Sequence, residues 1–171
     1  MLYNAPVLRE MLRKAGVQLV FTGHLHVQDI AQDSGLYDIT TGSLVSYPHP
    51  YRILNFRTDN YDRKWLQVES YRVGEVPGWR TLAQTSREWI GERSFPFMLK
   101  LLTDSPLNLP TATAEKLAPS LRYFWADIAN GDAIFDFPQF PPAARRYFEQ
   151  FGAINRDGIP NLIDNYTTLL L

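Results

Sequence analysis

The sequence has no cysteine among its 171 residues. This absence excludes a disulfide framework, a thiolate metal site and a cysteine nucleophile. The chain also lacks a run of about 20 apolar residues, which a membrane-spanning helix requires. Its charges nearly balance, with 17 Lys and Arg against 18 Asp and Glu. A near-neutral chain has neither the basic surface of a nucleic-acid-binding protein nor a polybasic membrane-facing side, so we expect neither partner.

Two common catalytic motifs are missing as well. There is no Gly-x-Ser-x-Gly elbow of the kind that positions a nucleophilic serine. There is also no glycine-rich loop of the kind that binds nucleotide phosphates. What the chain does have is 45% hydrophobic residues, enough to bury a sizeable core. These features favour a globular protein whose chemistry, if any, depends on other residue types.

The first 26 residues predict a helix, a strand and a loop, in that order. Apolar side chains at helical spacing predict a helix over residues 7–14, and Gly16 is well placed to end it. The apolar run 17–21 is typical of a strand that is buried on both faces. Ligands of layered α/β proteins bind beyond the carboxyl ends of such strands. We therefore expect any site to lie in the loop that follows.

That loop contains Gly23, His24 and His26, and so holds two of the three histidines of the chain. Neutral imidazole is a good ligand for zinc, iron and similar ions, and a His-x-His pair at a strand end can direct both rings into one cavity. The alternative is a chance pair of polar loop residues. A metallo-β-lactamase-like site or a cupin fits less well, because Gln28 and Asp29 stand where the former motif needs Asp and His, and no glutamate follows before Glu69.

Further strands are predicted after the histidines. Residues 27–31 and 36–41 read as a hairpin around the turn 32–35, and residues 51–58 and 65–73 as a second hairpin. The nearby carboxylates Asp29 and Asp38, and the hydroxyl of Ser43, are interpreted as ordinary strand-end or turn residues. His49 lies between two prolines on a stiff loop and is the candidate substrate-binding residue, with a surface or packing role as the alternative.

The character of the sequence changes at residues 76–78. Helices are predicted over 81–90 and 97–102, separated by Gly91 and Pro96, and then over 117–128, where Pro119 should kink the helix or start it anew. Two more are predicted over 142–151 and 161–171. The expected fold class is therefore α+β, with a sandwich part over residues 1–76 and a small helical bundle over residues 77–171.

Residues 15–26, which end in Gly23-His24-Leu25-His26, closely resemble the last signature of the calcineurin-like metallophosphoesterases. The stretches 37–43 and 47–52 look like the bacterial branch near the cyclic-nucleotide phosphodiesterases, some of which carry a helical C-terminal appendage. The resemblance implies that residues 1–76 are the C-terminal part of a metallophosphoesterase-type layered α/β sandwich. It also implies hydrolysis of a phosphodiester or phosphomonoester in a small phosphorylated substrate.

In that family two metal ions generate a hydroxide nucleophile and neutralise charge on the phosphoryl oxygens. The resemblance implies that His24 ligates one ion and His26 the other, with Gly23 allowing a close backbone approach. Manganese, iron and zinc are the candidate ions. No catalytic residue beyond these ligands is assigned.

The earlier signatures of the family, Asp-x-His, Gly-Asp-x-x-Asp and Gly-Asn-His-Asp/Glu, do not occur in this chain. We therefore expect the chain to need a missing N-terminal part of the same fold, and to be inactive alone. The alternative hypothesis is a non-catalytic binding or oligomerisation module that keeps a relic metal motif. An incomplete sandwich should leave sheet edges and apolar surface exposed, which predicts self-association.

Overall fold

The computed structural model describes residues 3–155 and 157–171 and has a mixed α+β fold, as the sequence predicts. The first half of the chain forms α1 (Ala5–Lys14), β1 (Leu19–Thr22), β2 (Asp29–Asp33), β3 (Leu36–Thr40), β4 (Pro50–Thr58) and β5 (Lys64–Arg72). The second half forms α2 (Leu82–Thr103), α3 (Thr111–Leu117), a 3-10 turn (Ala118–Leu121), α4 (Phe124–Asn130), α5 (Pro142–Glu149) and β6 (Tyr166–Leu170).

Helix α1 ends as predicted, at a glycine. Gly16 has φ of 73°, a left-handed conformation that glycine adopts without strain. Its N–H donates to the carbonyl of Arg13, and the N–H of Val17 donates to the carbonyl of Leu12. This pair of bonds is the Schellman motif, which satisfies carbonyls that the helix leaves free. The chain then reverses into β1.

The first sheet has the strand order β1-β3-β2. Strands β2 and β3 form the predicted hairpin, with Ser34 and Gly35 both at positive φ, as a two-residue type I′ turn requires. Strand β1 pairs in parallel with β3. The carboxyl ends of β1 and β3 therefore lie side by side.

The prediction that β1 is buried on both faces is wrong for the described structure. Strand β1 is an edge strand, and Phe21 on it is 52% exposed. None of the residues of α1, the helix before it, is buried, and Met11 is 63% exposed. The side chains of this segment are apolar, but no neighbouring element within the described residues covers them.

The second sheet has the order β4-β5-β6, and all of its strands are antiparallel. Strands β4 and β5 form the second predicted hairpin. The predicted final helix over residues 161–171 is wrong, because Tyr166–Leu170 pair with β5 as a strand. Tyr and the two threonines favour a pleated strand, and Leu169 is buried between the sheets. The end of the chain therefore returns to the sandwich part.

The two sheets pack on each other through a small apolar core. Ile30 and Ile39 come from the first sheet, and Leu66, Val68 and Leu169 from the second. This arrangement places the ends of β1 and β3 at one margin of a two-sheet layer.

Helix α2 is continuous across residues 91–96, where the sequence predicted an interruption. Gly91 is buried against the side chains of Tyr123 and Arg122, so its lack of a Cβ allows the close approach of another segment. Pro96 lies on the exposed side of the helix. Packing along α2 outweighs the local helix-breaking preference of these two residues.

Helices α3 and α4 and the 3-10 turn pack against α2, and α5 adds Ala144 and Phe148 to the same core, as a small bundle is expected to do. Pro119 begins a new turn after α3, in agreement with the sequence prediction, and Gly131 ends α4 at φ of 74°. The buried members of this core are Met98, Leu102, Ala114, Leu117, Ala118, Leu121, Phe124, Phe137, Phe140, Ala144 and Phe148. Of the helices in the described part of the chain, none is long and apolar enough to cross a membrane.

Candidate functional site

The loop that contains His24 and His26 begins directly after β1. Both histidines are exposed, and His26 adopts a left-handed φ of 57°. The N–H of His26 donates to the carbonyl of Gly23 over 3.3 Å, which closes the loop into a turn. A Cβ on Gly23 would lie 3.2 Å from the carbonyl oxygen of Thr41. The turn therefore lies close against the segment that leaves β3.

Polar side chains of β1 and β3 connect the carboxyl ends of these two strands. The hydroxyl of Thr22 donates to Oδ1 of Asp38 over 2.8 Å and lies 2.7 Å from the hydroxyl of Thr40. Asp29 pairs in register with Thr40 on the other side. The sequence analysis did not single out Thr22 or Thr40. The sequence feature that could have indicated them is a threonine at the end of each of two predicted strands.

The two aspartates of this margin were interpreted as ordinary strand-end residues. Partial burial raises the pKa of Asp29, and the carboxylate of Asp38 raises it further, whereas Arg52 lowers it; the residue as a whole remains exposed. The Asp38 carboxylate is held by the Thr22 hydroxyl. Asp29 and Asp38 therefore share one electrostatic environment near the histidine turn.

Gln28 anchors the chain just after the histidine turn, and the sequence analysis missed it. It is buried, its Nε2 donates to Oγ of Ser70 over 2.8 Å, and its Oε1 accepts from the N–H of Gly42 over 2.7 Å. Its backbone N–H donates to the carbonyl of Ala129. One residue thus ties the turn to the second sheet and to the segment after β3 through its side chain, and to α4 through its backbone.

His49 is 5% exposed, and both of its ring nitrogens contact protein atoms. Nδ1 lies 3.1 Å from the carbonyl oxygen of Leu44, and Nε2 lies 2.9 Å from Oγ of Ser86 on α2. A ring bonded on both nitrogens has no free atom for a substrate. This geometry favours the packing role over the substrate-binding role. Ser43 begins the turn that leads to this loop and makes no described side-chain hydrogen bond.

Over residues 3–155 and 157–171, the structure has no group of three or more His, Asp or Glu side chains placed to hold a metal ion. Catalytic zinc sites use three protein ligands, and structural sites use four. His24 and His26 have the right donor chemistry, but they supply only part of such a set. The described residues therefore do not form a complete metal site by themselves.

Comparison of the chain with family models, with curated proteins and with solved structures gives no match. The assignment of the site therefore depends on its residues and geometry.

A second polar cluster lies where the two sheets meet the end of α4. Asp164 accepts from the N–H of Ile30 and from the N–H of Asp132, and Asp132 accepts in return from the N–H of Asp164. Nη2 of Arg52 donates to the carbonyl of Asp164, but its Nε and Nη1 are buried without a partner among the described residues.

Burial is the main influence on the pKa values of this cluster. It raises the pKa of Asp164 to about 6 against the opposing effect of the two N–H donors, and it lowers the pKa of Arg52 against the attraction of Asp164 and Asp29. These contacts join the first sheet, the second sheet and α4. We refer to Arg52, Asp132 and Asp164 as the junction cluster. Its role is structural, because its hydrogen bonds link backbone segments.

Proposed function

We propose that the chain is the C-terminal part of a binuclear-metal phosphoesterase that hydrolyses phosphodiester or phosphomonoester bonds, with cyclic nucleotides among its candidate substrates. The observation that carries the proposal is the position of His24 and His26. They occupy a tight turn at the carboxyl end of β1, which follows a helix and runs parallel to β3. Ligands of layered α/β folds bind at such strand ends.

The exposed side of the first sheet supports the finer fold assignment. Within the part of the chain that the structure describes, strand β1 has a free edge, Phe21 on it is exposed, and α1 buries no residue. A parallel edge strand with its helix uncovered is expected where a layered sandwich lacks a neighbouring strand and helix. The proposed occupant of that position is the N-terminal part of the same fold, with the remaining metal ligands.

In the complete enzyme His24 would ligate one metal ion and His26 the other. The ions would supply a hydroxide nucleophile and neutralise charge on the phosphoryl group; manganese, iron and zinc all accept imidazole ligands. The protein's own contribution is to hold the two rings in place. Gly23 and Gln28 do so by fixing both ends of the turn against the segment after β3.

The sharpest test is to join the chain to the sequence encoded directly upstream of its gene. We expect an open frame with Asp-x-His and Gly-Asn-His-Asp/Glu, and turnover of bis(4-nitrophenyl) phosphate by the joined protein with Mn²⁺. His24→Ala and His26→Ala should each abolish turnover. Tyr61→Ala, on an exposed turn remote in sequence from the histidines, is the control and should leave turnover unchanged. Full turnover by either histidine variant would contradict the proposal.

The alternative is a non-catalytic association module, and the exposed apolar side of α1 favours it. Val7 and Met11 are both largely exposed there. This reading predicts an upstream region without the metal-ligand motifs. It also predicts that Met11→Lys abolishes self-association in sedimentation experiments, whereas His24→Ala does not. If the wild-type chain is already a monomer, Met11→Lys will leave its sedimentation unchanged, and that result would contradict this alternative.

A further inference from the structure

A groove runs along the side of α2 that faces the loop after β3. It has a volume of about 460 Å³ and is lined by Val45, Tyr47, Trp79, Trp89, Ile90 and Arg93, among others. A second depression of about 340 Å³ continues it along the same helix, lined by Ile90, Arg93, Ser94, Phe97 and Trp125. Because Ile90 and Arg93 line both, the two form one continuous surface, which we call the tryptophan groove.

Aromatic rings dominate the walls of the tryptophan groove. The rings of Trp79 and Trp89 lie with centroids 5.5 Å apart, and those of Phe97 and Trp125 lie 6.0 Å apart. Trp89 and Phe97 each expose about half of their surface. Exposed aromatic side chains that line a depression offer flat, apolar contact area for another ring.

Among the described residues, Arg93 is the only Lys, Arg, Asp or Glu side chain that lines the groove. Other arginines of this region are paired: Arg87 with Asp127, and Arg122 with Glu88. Arg93 makes no ion pair with a described residue. A guanidinium beside apolar rings is suited to bind a carboxylate or phosphate through two parallel hydrogen bonds.

We propose that the tryptophan groove binds a small aromatic anion. The ring of the ligand lies against Trp79 and Trp89, or against Phe97 and Trp125, and its phosphate or carboxylate binds Arg93. No metal ion and no second protein takes part, so this site is independent of the phosphoesterase proposal.

The test is titration of the intact chain with 1-naphthyl phosphate, followed by calorimetry and by NMR of the tryptophan indole N–H signals. We expect saturable binding that shifts the signals of Trp79, Trp89 or Trp125. The fourth tryptophan, Trp65, serves as an internal control, because its Nε1–H is bonded to Asp59 away from the groove. Shifts of all four signals to the same extent would indicate non-specific binding and overturn the proposal.

Matched variants and ligands identify the contacts. Arg93→Gln should weaken binding at least tenfold, whereas Arg57→Gln makes the same charge change on β4 and should have no effect. 1-Naphthol, which lacks the anion, should bind at least tenfold more weakly than 1-naphthyl phosphate. The ratio of 1-naphthyl phosphate to 1-naphthoate affinity then assigns the group as phosphate or carboxylate. Equal binding of the phosphate and of 1-naphthol, or equal effects of Arg93→Gln and Arg57→Gln, would overturn the proposal.

Discussion

The helical core and the β1 side of the first sheet treat their apolar residues in opposite ways. Around α2 the bundle has a fully buried core, in which Met98, Leu121 and Phe148 have no exposed surface. On α1 and β1, by contrast, Met11 and Phe21 are more than half exposed. Amphipathic elements gain most of their stability by burying their apolar side. The helical part therefore gains its stability from its own buried core. The α1–β1 unit leaves much of its apolar surface uncovered and gains little stability in this way.

This difference bears directly on the two proposed sites. The histidine turn follows β1 and belongs to the exposed unit, so the proposed metal chemistry would need the same proposed neighbour that would cover its apolar surface. The tryptophan groove lies on α2, and its residues are already fixed by the helical core. The first site is therefore expected to appear only on completion of the fold, and the second should bind its ligand in the chain as it stands.

The largest expected effect contrasts one phenylalanine from each region. Phe148→Ala empties a fully buried position that contacts Phe124 and Phe140, and should lower the free energy of unfolding by about 3–5 kcal/mol. Phe21→Ala removes a ring that is half exposed and should cost about 1 kcal/mol or less. Urea unfolding followed by circular dichroism measures both. Equal costs would mean that Phe21 is covered in solution, and the contrast would fail.

The second prediction concerns the contact between the two regions. Gly131 has φ of 74°, and a Cβ there would lie 2.9 Å from Cβ of Gln28 and 3.0 Å from Cβ of Asp164. Gly131→Ala combines backbone strain with overpacking and should destabilise the protein by about 2–4 kcal/mol. Gly158→Ala is the matched control, because Gly158 has φ of 76° but no atom within 4 Å of the added Cβ.

The control should cost about 1 kcal/mol, since it tests backbone strain alone. Thermal or urea unfolding of the two variants gives the comparison. If Gly131→Ala were no worse than Gly158→Ala, the close packing of α4 on Gln28 and Asp164 would be refuted, and with it the rigid link between the regions.

The third prediction uses pH to weaken the junction cluster. Burial raises the pKa of Asp164 from an ordinary 3.8 to about 6, so between these values the folded protein binds more protons than the unfolded chain. The stability that this group contributes is full below about pH 4 and is lost as the pH rises through about 6, by an amount on the order of 1–3 kcal/mol. Asp29 acts in the same direction, and Asp59 and Glu149 in the opposite one.

The measurement is therefore a difference between the wild type and Asp164→Asn. The variant should be less stable at every pH, because one of its two N–H acceptors becomes an amide donor. The slope of its stability between pH 4 and pH 6 should be more positive than that of the wild type. Identical slopes would show that Asp164 does not titrate in this range.

The elements that the sequence predicted well are those set by local chemistry. Gly16 ends α1 because it alone accepts a positive φ without strain, and Ser34-Gly35 forms the turn that its residue types favour. The final strand was missed because Tyr166–Leu170 is short, and its pairing partner, β5, lies about 100 residues earlier in the chain. Its tyrosine and threonines were the available signal.

The sites also differ in whether local sequence is enough to predict them. The histidine turn could be placed from sequence because it directly follows an apolar strand. The junction cluster could not, because Arg52, Asp132 and Asp164 meet only once three distant segments have packed. The arrangement of the tryptophans into a groove depends on α2 remaining continuous through Gly91 and Pro96, where the sequence predicts an interruption.

The smallest expected effect is that of the two histidines on stability. His24 and His26 are exposed and make no side-chain hydrogen bond with a described residue, so His24→Ala and His26→Ala should each change the free energy of unfolding by less than about 0.5 kcal/mol. His49→Ala, which empties a buried position and removes one of the hydrogen bonds of Ser86, should cost several times more. Zn²⁺ supplied at a concentration equal to its dissociation constant should add only about 0.4 kcal/mol. A large loss of unfolding free energy in either histidine variant would mean that the imidazole rings stabilise the turn. A negligible loss would mean that both rings are free to serve as ligands in the proposed complete sandwich.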